Sequence, residues 1–396
     1  MNPRLDARTT GLLAIVLLAC ATITFAGCGA AAGPVSGTNT SGPGEPAIAP
    51  PPVPLPLAGK VMAPASGAYL GVYSPPAPFD VPHIDAFESK VGKSVSIVMW
   101  YQPWESKNRS RFDTATVVAV MRRGKVPLIT WEPWNPGNNA NDIRNPGTQR
   151  PYRLSRINAG AFDEYIRGWA REIRALGGPV MLRPMHEMNG SWYPWSGTAN
   201  GNKPAEFVKS WRRIHDIFAE EGATNVTWVW SINHESVPSS KRNSYATYYP
   251  GDAYVDWTAI SGFNFGTTSS YSSFRPFMHW YTKPLAYLKT LKKPIVVAEF
   301  SSVEQGGSKA AWIIDAYTRI RKMPQIKAVV YYDSLEKGAY ARQDWRVDTS
   351  KASLRAFRNA VAPSYFLGSA PPELTSWADS LDAGQWKALT SIDPLY

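Results

Sequence analysis

The chain has 396 residues, 44% of them hydrophobic, which is enough for one large domain with a sizeable core. Its two cysteines, Cys20 and Cys28, both lie near the N-terminus, which excludes a disulfide framework for everything after them. The formal net charge is +11, but Lys and Arg are scattered along helix-like segments. That scatter argues against a nucleic-acid partner and leaves attraction to an anionic surface as the use of the charge.

Arg4 and Arg8 precede the apolar run GLLAIVLLACATITFAG. A charged start followed by such a run reads as an export signal, and it is short for a membrane-spanning helix. Phe25-Ala26-Gly27-Cys28 has the small residues before a cysteine that mark a bacterial lipobox. Leu17-Leu18-Ala19-Cys20 fits the same pattern. Cys28 is the expected lipidation site because a Gly/Ala/Pro/Ser stretch follows at once, whereas cleavage at Cys20 leaves an apolar stub. A plain signal peptide without lipid is the alternative. Residues 29–65 cannot bury enough apolar surface to fold, and their proline run reads as a tether. The expected organisation is a signal over 1–28, a flexible linker over 29–65, a folded domain over 66–363 and a packed tail over 364–396. The protein is then exported, held at the cell membrane by a lipid anchor or released, and monomeric.

From residue 66 onward, short apolar and β-branched runs alternate with amphipathic segments. The strand candidates are Tyr69–Tyr73, Val95–Tyr101, Val126–Trp131, Pro179–Pro184, Val226–Ile232, Trp257–Phe263, Pro294–Phe300 and Lys327–Tyr332. Each is nearly continuously apolar, as parallel strands covered on both faces are. Helical patterns fall at 113–123, 161–176, 204–221, 277–291, 309–322 and 353–360, with stop signals at Gly124, Gly177 and Gly222. Eight strands alternating with helices predict a (β/α)8 TIM barrel. An open doubly wound sheet is disfavoured, because no Gly-rich turn follows the first strand.

A barrel of this kind places its chemistry at the C-terminal strand ends. Those ends carry Trp104, Trp131-Glu132, Arg183-Pro184-Met185-His186-Glu187-Met188-Asn189-Gly190 with Trp192 and Trp195, Asn233-His234, Phe263-Asn264, Glu299 and Tyr331. Carboxylates for acid/base work beside aromatics for stacking on sugar rings suit polysaccharide hydrolysis. Glycosidic cleavage needs two carboxyl groups, one protonated and one ionised. Glu187, set beside His186 and among aromatics, fits the acid. Glu299, at the end of an apolar strand where a nearby arginine such as Arg183 favours ionisation, fits the nucleophile. Strands four and seven stand opposite each other, at a span compatible with the roughly 5–5.5 Å of a retaining enzyme. Glu132 is a third rim carboxylate that binds a sugar hydroxyl or orients a neighbour. The metal reading of His186, Glu187 and His234 lacks HExxH spacing, and a serine triad lacks its GxSxG elbow. No metal and no cofactor is expected.

VMLRPMHEMNGSWYPW resembles the signature of glycoside hydrolase family 26, the β-mannanase family, and VVAEF resembles its nucleophile strand. The resemblance spans residues 68–360. It implies a retaining double displacement with Glu187 as acid/base and Glu299 as nucleophile. It also implies that His186 orients the acid/base or touches the substrate, that Arg183 helps position the carboxylates, and that Asn189 and Trp192 shape subsites. One departure stands out. Where the family is expected to have Asp-Gly-Tyr-Asn-Trp-Gly, this chain has Ser261-Gly262-Phe263-Asn264-Phe265-Gly266. Phe263 cannot donate to Glu299, so either Asn264 or Tyr331 substitutes, or the activity is slow or the substrate differs. The expected function is an endo-acting β-glycanase with a β-1,4-mannan substrate. The alternatives are a mixed-linkage β-glucanase or β-xylanase, or a non-catalytic carbohydrate-binding lipoprotein.

Overall fold

The computed structural model describes residues 55–105, 111–136, 149–270, 272–336 and 343–391. The expected export segment, both cysteines and the expected linker up to residue 54 lie outside the described residues.

Eight parallel strands pair in chain order: β1 (Ala68–Tyr73), β2 (Ile97–Pro103), β3 (Val126–Glu132), β4 (Val180–Pro184), β5 (Val226–Asn233), β6 (Trp257–Asn264), β7 (Ile295–Ser302) and β8 (Ile326–Tyr332). β1 pairs with both β2 and β8, so the sheet closes. The helices are α1 (Pro82–Val91), α2 (Thr114–Met121), α3 (Leu154–Asn158), α4 (Asp163–Leu176), α5 (Pro204–Glu220), α6 (Phe277–Thr290), α7 (Lys309–Ile320), α8 (Lys351–Val361), α9 (Pro372–Ser380) and α10 (Ala383–Thr390). The expected (β/α)8 barrel is what forms.

The strands are buried along almost their whole length because helices cover the outer face and side chains fill the inner one. α4 shows how a helix is recruited. It buries Ile166, Trp169, Ala170, Ile173 and Leu176, one stripe at helical spacing. It stops at Gly177, whose φ of +75° closes the last turn at no steric cost.

Successive strand residues point to opposite sides, and this sorts the mouth of the barrel. In β3, Thr130 and Glu132 face inward and Trp131 faces the helices. In β7, Glu299 faces inward and Phe300 packs outward on Phe277 and Trp312.

The opposite end of the barrel is closed by chain from both sides of the domain. Residues 55–66 run beneath the strand N-termini. There Ala58 N donates to Gly177 O (2.7 Å), Val61 N to Thr227 Oγ1 (2.7 Å), Trp257 Nε1 to Val61 O (2.8 Å) and Lys327 Nζ to Pro64 O (2.9 Å). The packed chain therefore begins by Leu55, earlier than the expected boundary at 66, because its backbone finds partners there. From the other side, Phe366 pairs beside Ala68 of β1, and Trp377 of α9 donates its indole N–H to Pro56 O (3.1 Å). Trp377 is 2% exposed. Its replacement by Ala is expected to cost about 3 kcal/mol, read as a lowered Tm, with an unshifted pH–rate profile.

Candidate active site

The site is built on the turn that leaves β4. His186 and Glu187 are adjacent, yet both face the mouth, which an extended strand does not allow. Met185 (φ 49°) and Glu187 (φ 54°) adopt the left-handed conformation, and the two reversals fold the turn inward. Such residues cost about 1–3 kcal/mol each and persist where surroundings hold them. Here Met185 N donates to Trp131 O (3.0 Å) and Glu187 N to Ser231 O (2.9 Å). The Asn189 amide secures the far side, donating to Asn233 O (3.0 Å) and Glu235 O (3.1 Å) and accepting from Asn233 N (2.9 Å). Gly190 gives the turn its last requirement, since a Cβ there would stand 2.5 Å from the Trp192 ring.

Arg183 lies under this turn with no solvent exposure. Its Nη2 donates to Glu299 Oε1 at 2.6 Å. Nε and Nη2 also reach Thr130 Oγ1 (2.9 and 2.6 Å), and Nη1 reaches Ser231 Oγ (3.3 Å). The guanidinium thus joins β3, β5 and β7 to β4. Ser261 Oγ of β6 donates to the same Glu299 oxygen (3.3 Å).

Glu187 is 8% exposed and accepts from Trp192 Nε1 at 3.0 Å. Burial, then the negative charge of Glu299, pushes its pKa up to about 8, so it holds a proton at neutral pH. Glu132 is pushed up to about 8 as well, mainly by burial and against a hydrogen bond from Trp134 Nε1 (3.1 Å). Its other oxygen stands 3.8 Å from His186 Nδ1. Burial, then the Arg183 charge, holds His186 well below the usual histidine range, so its ring is neutral. His186 Nε2 lies 3.1 Å from Tyr193 Oη.

Of the residues expected at the site, Arg183, His186, Glu187, Trp192, Glu132 and Glu299 converge. Phe263 also faces inward, but its ring packs on Tyr332 (5.1 Å) and Trp345 (5.0 Å) and makes an apolar wall. Asn189 ties loops together. Trp195 is fully buried, stacked on Tyr193 at 4.3 Å and donating to His186 O (2.7 Å), so it props the turn from behind.

Four expectations are corrected by strand alternation. Trp131 points away from Glu132 and packs on Tyr165 (5.7 Å) and Trp169 (4.7 Å) of α4. Trp104 joins that outer cluster, 4.9 Å from Trp131. Asn264 faces outward and bonds Ser302 Oγ and Arg275 N. Tyr331 faces α8, 4.9 Å from Phe357. Neither Asn264 nor Tyr331 takes the place of a donor to Glu299. The side chains that fill in around the carboxyls are Tyr101, Thr130, Tyr193, Ser231 and Ser261. Counting by twos from Glu132 and Phe263 would have found Thr130 and Ser261.

A parallel eight-stranded barrel with three glutamates at its mouth, one ion-paired to a buried arginine and two pushed toward their neutral forms, has the layout of a glycoside hydrolase. The chain belongs to glycosyl hydrolase family 26, whose profile matches residues 114–315. Endoglucanase H of Acetivibrio thermocellus is 35% identical over 318 residues, 78% of this chain and 32% of that protein. A mannan endo-1,4-β-mannosidase of Bacillus subtilis is 26% identical over 161 residues, 37% of this chain and 42% of that protein. The matches thus span about a third to two-fifths of these relatives' length. The fold also matches a GH26 endo-β-1,4-mannanase catalytic domain from Bacillus sp. JAMB-750, with a TM-score of 0.59 at 18% identity over 78% of this chain and 89% of that one. A GH26 β-mannanase from Bacteroides ovatus gives 0.57 at 16% identity, over 78% and 93%.

An acid that must hold its proton loses activity as pH rises through its pKa. The alkaline limb of kcat/KM is therefore expected near pH 8, set by Glu187. Trp192→Phe removes a donor that favours the charged carboxylate, so the limb should move to higher pH in a pH–rate profile.

Proposed function

We propose that the protein is an endo-acting retaining β-glycanase that cleaves a β-1,4-linked polysaccharide. The observation that carries this reading is the pairing at one mouth of an arginine-bound Glu299 with a protonated Glu187. Arg183 and Ser261 both occupy Glu299 Oε1, so Oε2 is the oxygen that attacks the anomeric carbon. As the glycosidic bond breaks, Glu187 passes its proton to the leaving oxygen and a glycosyl ester forms on Glu299. Glu187, now charged, takes a proton from water, which displaces Glu299 and restores both groups. Neutral His186 and protonated Glu132 offer hydrogen bonds to sugar hydroxyls without adding charge.

β-1,4-Mannan is the first substrate choice, supported by relatives named mannan endo-1,4-β-mannosidase. One observation favours β-glucan: the similarity to the protein named Endoglucanase H runs over far more of the chain. Purified residues 55–396 incubated with mannan, mixed-linkage β-glucan and xylan would separate these by product analysis. Glu299→Ala should abolish hydrolysis and spare glycan binding. Glu187→Ala should slow polysaccharide cleavage by about 10²–10⁴-fold while sparing the first step on activated aryl glycosides. No hydrolysis of any of the three polymers by the wild type would sink this reading.

Export and lipid attachment at Cys28 complete the proposal. They are supported by the composition of residues 1–54 and by entry of the chain at the barrel end opposite the mouth. Cys28→Ser is expected to shift the protein from the membrane to the soluble fraction on ultracentrifugation. A membrane share equal to the wild type's would count against the anchor.

A further inference from the structure

We propose that the floor of the barrel, the face opposite the mouth, carries a docking patch for an anionic phospholipid surface. The proposal rests on the exported, membrane-attached reading for its setting. Docked this way, the barrel turns its active site away from the bilayer.

Parallel strands put all their N-termini at one end, so the segments that run from a helix to the next strand share that end. Two of these segments are neighbours. Residues 291–294 lead into β7 and residues 321–325 into β8, and Ile295 N donates to Gln325 O (3.0 Å) where they meet. With the last turn of α6 they carry Lys289, Lys292, Lys293, Arg321 and Lys322. Cations near helix C-termini suit the helix dipole, but that alone does not require them to lack carboxylate partners. Among the described residues none of these five is in an ion pair. Lys293 Nζ donates to a neutral acceptor, Asp252 O (2.9 Å), and its charge stays uncompensated. The acids of the same face are otherwise engaged. Asp256 pairs with Lys60 (2.9 Å), and Glu373 is half-buried and accepts from Met62 N (3.3 Å).

The strap of residues 55–66 crosses this patch. It is held at Val61 by Trp257 of β6 and at Pro64 by Lys327 of β8. Between these points Met62 stands 64% exposed, and Leu57, farther back along the strap, is 44% exposed. Apolar side chains in water beside uncompensated cations suit a bilayer interface. The cations meet lipid phosphates there, and the apolar groups enter between headgroups. The path of the chain names the same occupant. The 54 residues ahead of Leu55, Cys28 among them, join the barrel on this face. An anchor at Cys28 keeps the floor close to a membrane, where a weak contact is enough to set orientation.

Residues 55–396 include the whole packed barrel and no cysteine, so vesicle binding by them owes nothing to lipidation. They should sediment with vesicles containing about one-third phosphatidylglycerol, be released by added salt, and ignore pure phosphatidylcholine vesicles. Lys289, Lys292, Arg321 and Lys322 are exposed, so their replacement by Gln should leave the Tm unchanged. Each single change should weaken binding about fivefold, and all four together roughly several hundredfold. Replacing four cations of the mouth end by Gln, at Arg150, Lys241, Arg242 and Arg275, should leave binding near that of the wild type. A fluorophore on Met62→Cys should shift to the blue on anionic vesicles, while one on Arg242→Cys should not. Absence of binding to anionic vesicles, equal losses from the two quadruple variants, or an unshifted label at position 62 would each overturn the patch. If Cys28→Ser leaves the full chain's membrane share unchanged while residues 55–396 still bind vesicles, the anchor reading fails and the patch stands. The reverse pattern removes the patch alone.

Discussion

A charged guanidinium with no access to water has to be answered from within the protein, and the arrangement of the barrel mouth follows from how Arg183 is answered. Glu299 supplies the countercharge at 2.6 Å, and the hydroxyls of Thr130 and Ser231 take remaining donors. Removing one partner of such a pair costs about 3–5 kcal/mol, because the other charge is stranded. The partners come from different strands, so the strands must stand at the right heights for the pair to form at all. The same contact fixes which oxygen of Glu299 remains open. It also fixes where the negative charge sits that helps keep Glu187 protonated.

Glu187, Glu299 and Glu132 share this one guanidinium, and burial settles how their charges are shared. Glu187 and Glu132 are pushed toward their neutral forms, chiefly by loss of solvent. Two neighbouring acids in different protonation states are what acid/base chemistry on a glycosidic bond requires. The two left-handed residues of the β4 turn belong to the same economy of form: local strain is accepted where it brings His186 and Glu187 to one side. Stability is supplied at the other end of the barrel, where the strap of residues 55–66, Trp377 and the strand N-termini interlock away from the chemistry.

The fold was legible in the sequence, and so was the gathering of Glu187 and Glu299 at one end of the barrel. Eight apolar runs separated by amphipathic stripes leave little choice but a closed parallel sheet, and RPMHEMNG carries its chemistry in sequence order. The rim aromatics were less legible. Trp104, Trp131 and Tyr331 sit at strand ends as expected, but which way a strand-end side chain points depends on counting by twos from a residue known to face inward. A single misplaced unit of that count moves a side chain from the cleft to the helix layer. Asn264 fails for the same reason.

What the sequence determined by itself was the number and order of the barrel strands, the stops of the helices and the presence of Glu187 and Glu299 at strand ends, because these follow from periodicity and from residue type. Tertiary structure alone decided that residues 55–66 close the barrel floor, since their hydrogen bonds go to distant strands. It alone decided that Phe263 makes an apolar wall while Ser261, two residues earlier, donates to Glu299. That contact depends on the slip in register between β6 and β7, which no local pattern of residues announces.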